Sequence, residues 1–259
     1  MKKYSSGFTL VEIAMVLFIV TLLLAGLVPT ISAQLEQQRT NETRKQLNDI
    51  REALIGYAIV NGRLPCPAKA TLDTTVFNAG KEATTGNDCA CVAAGNPNAD
   101  TTSTACTLST VTGVLPWVTL GLKETDAWEH RFTYRVTKNY ADQIAAGTTD
   151  CSPALATPPV ASSFALCSPG VPNVLSLASG GTSVAANVPA IIVSHGKNGF
   201  GAFTSIGTQL AGGSADEQEN SDGDNSFVSH NTTSSFDDMT AWIVPGILFH
   251  RMIAAGKLP

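Results

Sequence analysis

From Phe8 to Val28 the chain is a largely apolar run whose only charge is Glu12. At the helical rise these residues span about 32 Å, enough to cross the hydrocarbon core of a bilayer. A carboxylate placed in such a segment is costly and usually marks function. Lys2 and Lys3 precede the run, and basic residues hold a short front end in the cytoplasm. The apolar stretch therefore predicts a single-pass membrane helix with the remaining chain on the far side. A cleaved secretory signal ending at Ala33 and a plain membrane anchor are the simpler alternatives. The first is at odds with the length of the run, and neither calls for Glu12.

Composition bounds the rest. Of 259 residues, 14% are charged and the formal net charge is -5, so a broad basic footprint for nucleic acid is not expected. All six cysteines, Cys66, Cys89, Cys91, Cys106, Cys151 and Cys167, lie beyond the apolar run. An even number in an exported body favours disulfides in an oxidising compartment. Cys66 with Cys106 and Cys151 with Cys167 is the first pairing to consider. It forces Cys89 onto Cys91 in strained geometry, so an exchange involving Cys66 or Cys106 stays open.

Past Pro29, the segment from Thr30 to Asn61 reads as an amphipathic helix with Leu47, Ile50, Leu54 and Tyr57 or Ala58 on one face. Asn61-Gly62 and Leu64-Pro65-Cys66-Pro67 stop it. Gly26 and Pro29 are where the long helix is expected to bend or unwind. Asp73 to Ser109 reads as a disulfide-tethered loop, and Gly147 to Pro189 as another. Strands are expected at Arg131–Val136, Ala190–Ser194, Phe227–Ser229 and Met239–Val244, with turns at Gly196, Gly199 and Gly201. A short helix should start at Pro245 and run through Ala255, with Gly256 as its stop. Trp117 and Trp128 are expected as core anchors.

Gly7-Phe8-Thr9-Leu10-Val11-Glu12 resembles the processing motif of the type IV pilin and type II secretion pseudopilin superfamily. The resemblance implies cleavage after Gly7 by a prepilin peptidase, methylation of the new Phe8 terminus, and roles for Glu12 in assembly and Pro29 in shaping the helix. It implies the pilin fold: an α+β architecture in which a long N-terminal helix packs on a small antiparallel sheet. The corresponding organisation is leader 1–7, transmembrane and assembly helix 8–29, amphipathic stalk 30–61 and globular head 62–259. Implied partners are other pilin or pseudopilin subunits, the prepilin peptidase and methyltransferase, an inner-membrane assembly platform, and membrane lipid before assembly. The chain is long for a shaft subunit, which leans toward a minor pilin or a pseudopilin. The motif does not separate a type IV pilus from a secretion pseudopilus. A membrane-anchored periplasmic binding or catalytic domain is the alternative.

Two features of the body invite chemistry. The acidic run from Asp216 to Asn225, with Asp216, Glu219, Asp222 and Asp224 as candidate ligands, could offer calcium several oxygens on a flexible loop. It lacks the closing Glu of an EF-hand, and a solvated acidic loop is the bland alternative. Ser194-His195-Gly196 lacks the flanking glycines of a nucleophile elbow. His195 is expected to be a polar residue at a strand end, and no catalytic residue is predicted.

Overall fold

The computed structural model describes residues 7, 9–85, 88–89, 110–142 and 162–258, with the backbone alone at 24–30, 85 and 88. The chain divides into two compact units, Met1–Asn41 and Glu42–Pro259. Helix α1 (Leu10–Asn61) is 52 residues long and enters both. Its helical backbone is unbroken through positions 26 and 29, so the expected local unwinding is not seen. A proline in a helix removes one hydrogen bond, and the rest of the ladder can carry on through it.

Within the second unit, α1 buries Thr43, Leu47, Ile50, Leu54, Ile55 and Ala58. Most of these recur three or four positions apart, which stacks them on one face. The helix ends where Gly62 takes a positive φ of 71°, the left-handed conformation that glycine adopts without a Cβ clash.

Four antiparallel strands form the main sheet: β3 (Thr110–Val114), β4 (Thr133–Thr137), β7 (Ala190–Ser194) and β9 (Met239–Trp242), in the order β3-β4-β7-β9. Tyr134 pairs with Ile192 and Arg135 with Ile191 across β4 and β7. Side chains alternate between faces. Tyr134, Val136 and Ile192 join the cluster containing Leu47, Leu54 and Leu248. Ile191 and Val193 pack instead with Val174 and Phe227. Those two residues belong to a smaller sheet, β6-β5-β8, built from β5 (Asn173–Leu175), β6 (Ser183–Ala185) and β8 (Ser226–Val228), with β5 and β8 parallel. The central strand β7 is thus covered on both faces, which is why it reads as a continuous apolar run.

The terminal helix α5 (Pro245–Ala254) has proline at its start and buries Leu248 and Met252, one turn apart. Short helices α2 (Trp117–Leu120), α3 (Lys138–Ala141) and α4 (Ala215–Glu219) complete the unit. Helix α4 lies in the acidic run that reads as loop. Ser214 caps it reciprocally with Glu217, a capping box that the Ser-x-x-Glu spacing encodes. Trp117 is buried as expected, while Trp128 is half-buried.

Cys66 is bonded to Cys89, which corrects both the Cys66–Cys106 and the Cys89–Cys91 pairings. The cause is a small hairpin within the loop. Ala83 N donates to Pro67 O at 3.1 Å and Glu82 bridges to Ala68, laying residues 82–83 along 67–68. The antiparallel pairing of β1 (Thr84–Thr85) with β2 (Asp88–Cys89) then sets Cys89 opposite Thr84. Cys66 and Cys89 stand 5.3 Å apart at Cα, inside the range that a disulfide spans. Cys167 is also disulfide-bonded. Cys91, Cys106 and Cys151 lie outside the described residues.

A buried cation braces this unit. Arg131 is fully buried, and its Nε donates to Glu124 Oε1 at 2.8 Å. Its Nη1 donates to the carbonyls of Ala70 and Leu72, and its Nη2 to Thr74 Oγ1 and the Ser205 carbonyl. The guanidinium also lies 4.9 Å from the Trp117 ring centre.

Candidate processing and assembly segment

Gly7 is exposed, and a Cβ built on it meets no atom within 4 Å. Phe8 lies outside the described residues.

Thr9 is the residue before the first turn of α1, and it caps that turn with Glu12. Thr9 N donates to Glu12 Oε2 at 2.8 Å, and Thr9 Oγ1 donates to the same oxygen at 2.9 Å. Glu12 N returns a bond to Thr9 Oγ1 at 3.3 Å. This is a reciprocal capping box: it satisfies amides that a helix start leaves unpaired and sets a negative charge at the positive end of the dipole. The expectation of an assembly role for Glu12 does not include this partnership with Thr9. The Thr-x-x-Glu spacing is the signal that carries it.

Beyond the cap, Leu10, Leu17, Phe18, Leu22 and Leu23 are exposed on α1, on more than one side of the helix. Apolar side chains all around a helix call for a covering environment. Among the described residues no helix is long and apolar enough to cross a membrane. The described side chains of α1 stop at Leu23 and resume at Ile31. Position 29 lies within α1, and the Pro29 side chain is not among those described.

The acidic run does not gather its four candidate calcium ligands. Asp216 Oδ1 accepts from Ala178 N at 2.7 Å, and its Oδ2 lies 3.1 Å from His230 Nε2. Asp222 and Asp224 accept from backbone amides two residues on, at 3.0 and 2.6 Å. Glu219 ends α4. Burial and the neighbouring Asp224, Asp222 and Asp216 carboxylates push the Glu219 carboxyl above its ordinary value. The carboxylates that do converge among the described residues are Glu217, Asp237 and Asp238.

Ser194 Oγ donates to Asp126 Oδ2 at 2.6 Å, and His195 Nε2 lies 2.8 Å from Thr133 Oγ1. The serine hydroxyl is thus engaged by a carboxylate and the imidazole by a threonine. His195 is buried at the end of β7, the strand-end position expected for it.

A family model for the prokaryotic N-terminal methylation motif matches residues 2–28. No curated protein and no solved structure matches the chain. The matched span contains Gly7, the Thr9–Glu12 cap and the exposed apolar turns that follow. The chain therefore carries a prepilin-type N-terminal methylation motif, consistent with a type IV pilin-like or pseudopilin-like protein.

Proposed function

We propose that this protein is a structural subunit of a type IV pilus or a type II secretion pseudopilus. In this reading a prepilin peptidase cuts after Gly7 and Phe8 is methylated. The apolar N-terminal part of α1 holds the subunit in the bacterial inner membrane, with the head in the periplasm, until that helix is drawn into a filament. The observation that carries the reading is the methylation motif over residues 2–28, joined to a helix whose apolar side chains are exposed. Filament neighbours would cover those side chains as lipid does beforehand. The protein acts as a building block, not as a catalyst. Its partners are the processing peptidase and methyltransferase, the assembly platform and other pilin-like subunits.

Glu12 has two uses in this scheme. In the single chain it caps α1 through Thr9. In the filament the same carboxylate accepts the Phe8 amine of an adjoining subunit, which sets axial register. Apolar contact between helices supplies most of the affinity, and the ion pair supplies placement.

Glu12→Ala tests this directly. Membrane insertion should persist, because the substitution only makes the segment more apolar. Recovery of the subunit in sheared pili or pseudopili should fall at least tenfold. Incorporation at the wild-type level would remove the register role.

A further inference from the structure

Three carboxylates far apart in sequence meet in the second unit. Glu217 comes from α4, and Asp237 and Asp238 come from the segment leading into β9. One oxygen from each lies within 4.8 Å of the other two. Glu217 is 1% exposed and Asp238 is 3% exposed, whereas Asp237 is half-buried and opens the group to solvent.

The hydrogen bonds around the cluster come from neutral donors. Asn198 Nδ2 donates to Glu217 Oε1 at 2.7 Å, and Ser214 N donates to Oε2 at 2.7 Å. The Lys197 and Asn198 amides donate to Asp237 Oδ2 at 2.9 and 3.0 Å. Asn220 Nδ2 donates to Asp238 Oδ2 at 2.8 Å. These bonds fix the carboxylates and leave the other aspartate oxygens, Asp237 Oδ1 and Asp238 Oδ1, buried without a partner. Buried acceptors are nearly always satisfied, so each of these calls for an explanation.

A second observation comes from outside the acids. His195 is fully buried, and its Nδ1 has no hydrogen-bond partner. That nitrogen stands 3.7 Å from Asp238 Oδ2, facing the cluster, while its Nε2 is held by Thr133. The backbone closes tightly around the group: a Cβ on Gly196, whose φ is 58°, would meet Asp237 O at 2.3 Å and Asp237 Cγ at 2.7 Å. Like charges crowded in a buried site favour the uptake of a positive charge.

We infer that Glu217, Asp237 and Asp238 form a divalent-cation site that joins α4 to the segment before β9, with His195 Nδ1 on its inner wall. A set dominated by carboxylate oxygens selects the hard cations, calcium, magnesium or manganese, over metals that prefer thiolate. Asp237 Oδ1 and Asp238 Oδ1 gain a partner on binding, and the ion ties the turn after β7 to α4 and the β9 entry. The site is distinct from the Asp222–Asp224 turn, where each carboxylate accepts one bond from a backbone amide two residues on.

The test uses the full chain, purified in detergent and stripped with a chelator, titrated calorimetrically with Ca²⁺, Mg²⁺ and Mn²⁺ separately. At least one ion should bind at one per chain. At a hundred times its dissociation constant it should raise the melting temperature by about 5–10 °C. Asp237→Asn, at the solvent-facing edge, should weaken binding at least tenfold, and Asp238→Asn should abolish it. Circular dichroism of each variant distinguishes loss of the site from loss of the fold, and Asp237→Asn remains the deciding variant should Asp238→Asn unfold. Asp222→Asn should bind as wild type does. Failure of all three ions to bind at about 1 mM, near the weak limit for extracellular calcium modules, would overturn the inference. Binding kept by folded Asp237→Asn but lost in Asp222→Asn would overturn it equally.

Discussion

The two ends of helix α1 share one backbone and differ in what surrounds their side chains. From Glu42 to Asn61, Leu47, Ile50, Leu54, Ile55 and Ala58 form a stripe that is buried in one cluster with residues of the sheet and α5. From Leu10 to Leu23, apolar residues occupy every side and are exposed. The first pattern is satisfied within the chain. The second is left exposed in the single chain, and in the proposed function lipid and then filament neighbours cover it.

Substitutions should separate the two ends. The largest effect is expected at Gly7. A bulky side chain there, as in Gly7→Leu, should abolish processing and leave Met1 as the terminus, read by mass spectrometry, with no change in the melting of the head. Arg131→Met should cost about 3–5 kcal/mol of head stability in denaturant titrations, because Glu124 and four further acceptors lose a buried charged donor. Processing should be unaffected. Leu54→Ala should cost roughly 2–5 kcal/mol, since Leu54 is completely buried and its loss opens a cavity. Leu17→Ala, on the exposed part of the same helix, should stay within about 0.5 kcal/mol for unfolding of the single chain. A comparable cost at Leu17 and Leu54 would erase the distinction between the two ends.

The smallest effect concerns pH. Glu82 lies in the loop beside the end of α1. It receives Arg63 at 2.9 and 3.1 Å, Tyr57 OH at 2.9 Å and Cys66 N at 3.2 Å. Burial alone would raise its carboxyl, but the bonds and charge of Arg63, with help from Cys66 N and Tyr57, hold it below 4.5. A lowered folded value means that the stabilisation is complete above the ordinary value of 4.5 and fades as acid passes the folded value. Glu82→Gln should therefore lower stability at neutral pH and flatten the acid limb of the stability profile.

Legibility followed the range of the interactions. Strand β7 at Ala190–Ser194, helix α5 and the end of α1 at Asn61 stand where the sequence places them, because each is set by a local apolar run, a proline start or a glycine stop. Strand β3, Thr-Val-Thr-Gly-Val, is too weakly apolar to announce itself and exists through its pairing with β4. Helix α4 was hidden by its charges, although its capping box is plain in the spacing. The Cys66–Cys89 bond depends on a hairpin that the composition of the loop does not advertise. The meeting of Glu217, Asp237 and Asp238 depends on tertiary closure and has no local signature at all. In the N-terminal segment the motif was legible because its residues are adjacent, and the Thr9–Glu12 cap is written in the Thr-x-x-Glu spacing.

Entry into a filament through a trimmed and modified helix leaves a mark on the mature N-terminus. Mass spectrometry of the protein from cells with an active prepilin peptidase should find a chain that begins at methylated Phe8. A chain that keeps Met1, or one that begins at Gln34, would rule out that route.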